Sequence, residues 1–132
     1  MTITWSTKFE IGDKMIDMEH KQLVEKYNGL ISACSTGQER EELESALDFL
    51  CKYTVKHFYH EELLQLRINY PEYKRHKEIH EAFKVTVADL AVKLKENGPS
   101  IPVLVKLNTD IGGWLVNHIR DEDAKIAAYV KR

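Results

Sequence analysis

Cysteine is scarce in this 132-residue chain, and charge of one sign and long apolar runs are missing altogether. The two cysteines, Cys34 and Cys51, form no CxxC pair and are too few for a disulfide scaffold. Both fall near apolar positions of helical patterns and are expected to be buried thiols in a reducing cytoplasm. Nineteen basic against 21 acidic residues give a net charge of −2 and a pI near 6.3. That balance offers no electrostatic reason to expect nucleic acid or an anionic membrane as a partner. No stretch approaches the roughly 18 uninterrupted apolar residues of a transmembrane helix. The start, MTITWSTKFEIGDKM, lacks a cationic segment followed by an apolar run, so no signal peptide is expected. GxSxG, the P-loop and the Gly-rich dinucleotide fingerprint are also missing. What is present is an ordinary globular composition, 43% hydrophobic and 30% charged, sufficient for one domain over residues 1–132 with a real core.

Residues 1–16 show no helical period. With Trp5, Phe9, Ile11 and Gly12 they are expected to form an arm that packs aromatic groups onto a body. From Asp17, a plausible N-cap, His20, Leu23, Val24, Tyr27, Leu30, Ile31 and Cys34 recur at three- and four-residue steps and predict a helix over about 17–35. Thr36 to Glu39 matches a capping box and predicts a second helix over about 38–68, with Leu43, Leu47, Leu50, Thr54, His57 and Glu61 inward. Pro71 should stop that helix and suits the first turn of a third, over about 71–96, lined by Tyr73, His76, His80, Phe83, Val87, Leu90 and Leu94. Asn97-Gly98-Pro99 terminates it. A fourth helix over about 102–129 carries Leu104, Leu107, Ile111, Trp114, Leu115, His118 and Glu122 on one side, with Gly112 and Gly113 inside it at about 1 kcal/mol each relative to alanine. Short connections predict an all-α, antiparallel, up-down-up-down four-helix bundle with an N-terminal arm.

Five of the six histidines form a spaced set with acidic residues: His20, His57 with Glu61, His76 with His80, and His118 with Asp123. Imidazole and carboxylate are the ligands of borderline metals such as iron, zinc and manganese. His76 and His80, four apart, project from one helix face within reach of one ion, and His57 and Glu61 repeat that spacing. Lys77 stands where a zinc peptidase has its general-base Glu, which removes the HExxH reading. No glutamate has a histidine three residues later, which disfavours the ferritin-type carboxylate bundles. Burying this many imidazoles and carboxylates without metal costs several kcal/mol, by order of magnitude, so ligation by the set is the cheaper explanation. One conflict stands. On a regular helix Asp123 lies about 140° round from His118, whereas Glu122 lies only about 40° away, so periodicity alone selects Glu122. His60 is left over and is assigned to the helix surface or an interface.

These residues resemble the hemerythrin family, in particular its single-domain bacterial members, the bacteriohemerythrins. The segments that carry the resemblance are Ile16 to Leu23 (IDMEHKQL), His57 to Glu62 (HFYHEE), Tyr70-Pro71 followed by His76 and His80, and Trp114 to Ile119 (WLVNHI) followed by Asp123. They cover all four helices. The resemblance implies a non-haem centre of two iron ions with an oxo or hydroxo bridge. One iron would be held by His76, His80 and His118, the other by His20 and His57, and Glu61 and Asp123 would bridge them. It therefore favours Asp123 over Glu122. The two-histidine iron keeps an open position for dioxygen, which implies reversible oxygen binding for storage or transport and not an enzyme. The alternatives are an oxygen or redox sensor, peroxide or nitric oxide scavenging at the same centre, and a zinc or manganese site in the same cage. An oxygen-consuming recipient is the implied partner. The pocket positions similar to the family's are Leu23, Phe58, Trp114, Leu115 and Ile119, with Gln65 standing where the family usually has methionine or another apolar residue. The plain expectation is that the Gln65 amide finds water or backbone. The sharper one is that it donates a hydrogen bond near the site or admits water, altering oxygen affinity or autoxidation.

Overall fold

The computed structural model describes residues 2–37 and 39–130, and these contain helices and turns but no strand. Four helices form the bundle: α1 (Lys14–Ser35), α2 (Arg40–Arg67), α3 (Tyr73–Asn97) and α4 (101–130), consecutive ones packing on each other through short connections. A short 3-10 turn, Thr7–Phe9, interrupts the arm. Among the described residues no helix is long and apolar enough to cross a membrane.

The helix starts differ from the sequence expectation in two instructive places. Asp13, not Asp17, caps α1, its side chain accepting from the Ile16 amide at 3.0 Å. Asp17 lies inside the first turn and accepts from the Ile11 and Gly12 amides at 2.7 and 3.1 Å, tying the arm to the helix. Aspartate accepts from free amides in either setting, so spacing alone did not separate the roles. The capping box at Thr36 does not form. Thr36 closes α1 instead, its hydroxyl donating to the Ala33 carbonyl, and α2 begins after Glu39 with no side-chain cap. The expected start at residue 38 lies outside the described residues.

The stops follow the sequence more closely. Gly98 ends α3 with φ of 66°, a conformation that glycine adopts without penalty, and its amide donates to the Leu94 carbonyl. α2 ends through Asn69, also at positive φ, with the Tyr70 amide donating back to the Gln65 carbonyl at 2.8 Å. Pro71 sits in the following turn, two residues before α3 rather than in its first turn.

α4 is not a uniform α-helix. Two segments, Leu107–Gly113 and His118–Asp123, are π-helical, separated by one short α turn at Trp114–Asn117. In the first, Gly112 is required: a Cβ there would clash with the buried Tyr27 hydroxyl. Gly113 has no such neighbour, and nothing in the structure explains it.

The apolar interior is in two parts. The larger contains Leu23, Tyr27, Leu30, Leu47, Leu50, Phe58, Phe83, Leu107 and Leu115, and the smaller contains Ile11, Ile16, Leu64, Tyr70 and Ile126. Along α2 the sequence passes from Leu50 and Phe58 through His57 and Glu61 to Leu64, so a polar layer lies between the two apolar ones. The arm touches both parts, Ile3 packing against the larger and Ile11 belonging to the smaller. Phe9 and Ile11 are buried, Trp5 packs tilted on Phe9 at 5.4 Å, and Asn28 exchanges two hydrogen bonds with the backbone of Ile3.

Candidate metal centre

The polar layer brings together His20, His57, Glu61, His76, His80, His118 and Asp123, all of them buried. Their donor atoms fall into two groups, each compact to within 4.8 Å: Glu61, His76, His80, His118 and Asp123 in one, His20, His57, Glu61 and Asp123 in the other. Both carboxylates belong to both groups. The sequence spacing thus becomes two adjoining cages, with three imidazoles in one and two in the other.

All five imidazoles turn Nε2 inward. His20 and His57 Nε2 lie 3.3 and 3.2 Å from Glu61 Oε2, while His76 and His80 Nε2 lie 2.8 and 3.2 Å from its Oε1. His76 and His118 Nε2 are each 3.0 Å from Asp123 Oδ1, and His20 Nε2 is 3.0 Å from Oδ2. Yet Asp123 Oδ1 accepts no hydrogen bond from any described residue. Its nitrogen neighbours have the distance of hydrogen bonds but not their direction. His80 and His118 also face each other nitrogen to nitrogen at 3.1 Å. Nitrogens aimed at a common point beside an unsatisfied carboxylate oxygen are the arrangement of ligands around a cation, and imidazole with carboxylate suits a borderline metal. The residues fit such an ion.

The reach of Asp123 follows from the π-helical segment. Its i→i+5 repeat puts a residue five positions along one turn away, so Asp123 lies over His118 as Glu61 lies over His57 on a regular helix. Glu122, which regular periodicity selected, turns outward and makes a two-pronged ion pair with Arg75 at 2.7 and 3.0 Å.

Three of the outward nitrogens are also held. His20 Nδ1 faces the Phe9 carbonyl at 3.3 Å, His57 Nδ1 faces Glu19 Oε1 at 3.1 Å, and His80 Nδ1 faces Glu62 Oε2 at 2.9 Å. Such partners fix the tautomer that leaves Nε2 free to ligate. Glu19 and Glu62 escaped sequence reasoning, although each sits directly beside a ligand in the chain. A buried acid next to a ligand is the signal that was available. His60 has a definite partner too: its half-buried ring places Nδ1 2.7 Å from Glu19 Oε2, so it is no idle surface histidine.

Without a cation, protons supply the missing positive charge. Burial opposes the charged form of His20 and of His76, but the Asp123 and Glu61 carboxylates that face them outweigh it and raise each to about 10. Burial likewise opposes ionisation of Glu61, yet hydrogen bonds from His20, His57, His76 and His80 hold its carboxyl well below the usual range. For Asp123, burial and the Glu61 charge push up, and His118 and His20 pull the net shift downward.

Aromatic rings wall the centre on one side. Phe58 stacks on His80 at 3.7 Å, Trp114 stacks on His118 at 4.2 Å, and Phe83 backs Trp114 at 3.7 Å. Leu23, Phe58 and Leu115 belong to the larger apolar cluster with Trp114 packed against it, and Ile119 is buried beside His118. Gln65 does not join them. It lies four residues beyond Glu61 where Phe58 lies three before it, and it lines a separate recess near Tyr70. Its amide is fully buried with no hydrogen-bond partner among the described residues, so the expected backbone partner is not there.

Residues 12–130 match the family model described as the hemerythrin HHE cation binding domain. The chain is 32% identical over 129 residues to a bacteriohemerythrin of Stenotrophomonas maltophilia, covering 98% of this chain and 82% of that one. It is 34% identical over 121 residues to a hemerythrin-like protein of Naegleria gruberi, covering 92% and 87%. The crystal structure of a hemerythrin point mutant superposes over the full length of both chains with a TM-score of 0.85 at 26% identity. A four-helix bundle with a buried His/Glu/Asp cage, matched by the family model over nearly all of its length, belongs to the hemerythrin family.

Proposed function

We propose that this chain binds dioxygen reversibly at a non-haem di-iron centre and serves oxygen storage or transport, not catalysis. The observation that carries the reading is the pair of adjoining cages, unequal in histidines and sharing both carboxylates. His76, His80 and His118 would hold one iron, His20 and His57 the other, with Glu61 and Asp123 between them. Iron held by these residues would supply the reversible electron transfer that dioxygen binding needs. The names of the relatives, bacteriohemerythrin among them, support the same reading.

The protein's own part is to position and to exclude. Glu19, Glu62 and the Phe9 carbonyl orient three of the imidazoles. Leu23, Phe58, Trp114, Leu115 and Ile119 form the apolar side on which a small neutral gas is tolerated and water, protons and reductants are not. Two imidazoles are clamped by ring stacking as well, so the cage is rigid where it meets that wall.

Metal analysis with optical spectra in air and after deoxygenation tests the proposal. Two irons per chain and near-ultraviolet to visible bands that bleach reversibly are expected. One zinc and a featureless spectrum overturn it. Sustained turnover of peroxide or nitric oxide without reversible bleaching replaces the carrier with a scavenger.

A further inference from the structure

The centre has a second side. Both amide atoms of Gln65 and Nδ1 of His76 are buried and accept or donate no hydrogen bond among the described residues. Buried polar atoms left so are costly, and proteins commonly satisfy them with ordered water. His20, His57 and His80 each have a protein partner at Nδ1, which sets His76 apart. Gln65 and His76 share two neighbours. Glu61, one turn before Gln65, lies 2.8 Å from His76 Nε2. Tyr70 donates its amide to the Gln65 carbonyl and sets its ring edge-on to His76, centroids 6.3 Å apart. A recess of about 370 Å³ at the turn between α2 and α3 is lined by Gln65, Leu66, Asn69, Tyr70, Pro71 and Tyr73.

We propose that Gln65 and His76 Nδ1 together hold at least one ordered water on the Tyr70 side of the centre, beside that recess. The water accepts from His76 Nδ1–H, the proton the ring keeps when Nε2 offers its lone pair to a metal ion, and donates to Gln65 Oε1. It does for His76 what Glu19 does for His57 and Glu62 for His80. A water in that place needs a polar side chain, and an apolar residue at position 65 could not anchor it. The centre is then dry toward Phe58 and Trp114 and hydrated toward Tyr70. The inference rests on the proposed function only for the inward orientation of His76 Nε2, and it does not depend on iron or on oxygen.

High-resolution crystal structures of the zinc-loaded protein, wild type and Gln65→Leu, test it without iron or gas. Wild type should show water density within hydrogen-bond distance of both the Gln65 amide and His76 Nδ1. The variant should lose that density while His76 keeps its place. In the same diamagnetic proteins the His76 Nδ1 proton should resonate further downfield in wild type than in the variant, a difference that altered packing alone would not produce. A dry wild-type site, or water that persists on His76 in the variant, overturns the proposal. If the variant does not fold, the wild-type density decides alone. Should zinc fail to bind, metal-free crystals still report whether Gln65 and His76 share a water, and the iron analysis decides the reading of the centre separately.

Discussion

α2 and α4 each deliver one histidine and one shared carboxylate to the centre, and they do so by different helical geometries. α2 places His57 and Glu61 four apart on a regular helix, while α4 places His118 and Asp123 five apart and winds into a π-helical segment to align them. The two pairs occupy equivalent positions around the cages despite the extra residue. Ligand alignment therefore depends on residues per turn as well as on sequence spacing. The same deletion should have opposite consequences in the two helices. Removing exposed Tyr59 from α2 leaves His57 and Glu61 three apart, about 100° out of register, and turns every later inward residue away. Removing exposed Arg120 from α4 brings His118 and Asp123 to the four-residue spacing of α2, so a regular helix can align them. Metal content per chain after iron loading is expected to fall to near zero in the first variant and to be largely kept in the second. Equal loss in both would break the comparison.

In the metal-free protein the two helices are joined through His20 and His76, which contact both carboxylates. Burial lowers both imidazoles, but the facing Asp123 and Glu61 carboxylates raise them to about 10. A group raised on folding contributes stability that is full below its unfolded value, about 6.5, and is lost as pH rises through the folded value. Chelator-treated protein should therefore lose thermal midpoint between pH 6.5 and 10, and the metal-loaded protein much less. At the acid end Glu61 and Asp123, held low against their own burial, work in the opposite sense, and stability falls as they protonate. A metal-free midpoint that rises toward pH 10 would contradict the joining role of these protons.

The glycines repeat the contrast between regular and irregular helices at smaller scale. Gly29 in α1 has open space where a Cβ would go, so Gly29→Ala should stabilise by up to about 1 kcal/mol through helix propensity. Gly112 in α4 faces the Tyr27 hydroxyl, and Gly112→Ala should destabilise by about 1–3 kcal/mol through overpacking. Denaturant midpoints measure both. Opposite signs are the prediction.

Much of the bundle was legible because its signals are local and regular. The inward leucines of α2, the pairs His57/Glu61 and His76/His80, and the Gly98 stop all obey one period or one turn rule. Asp123 did not, because nothing in a helical wheel announces a change from 3.6 residues per turn. Asp13 and Asp17 are equally able to cap, and only the path of the arm decided between them. Glu19 and Glu62 adjoin ligands in the chain, but which histidine each supports, and the partner of His60, depends on contacts between helices. Gln65 was placed with the apolar wall by its likeness to a family position, and the direction along α2 puts it on the other side of Glu61.

The smallest effect concerns the acid that periodicity preferred. Glu122 adjoins a ligand in sequence but pairs with Arg75, whose side chain is 51% exposed against 19% for Glu122. The Arg75 charge draws the Glu122 carboxyl below its usual range, the hydrogen bond being the larger cause. Partial exposure screens such a pair, so Glu122→Gln should cost no more than about 1 kcal/mol, seen as a slight fall in denaturant midpoint. Metal content should not change. Asp123→Asn, one residue on, removes a carboxylate common to both cages and should lower metal content sharply. If Glu122→Gln lost metal as Asp123→Asn does, α4 would carry its carboxylate at regular spacing after all, and its difference from α2 would vanish.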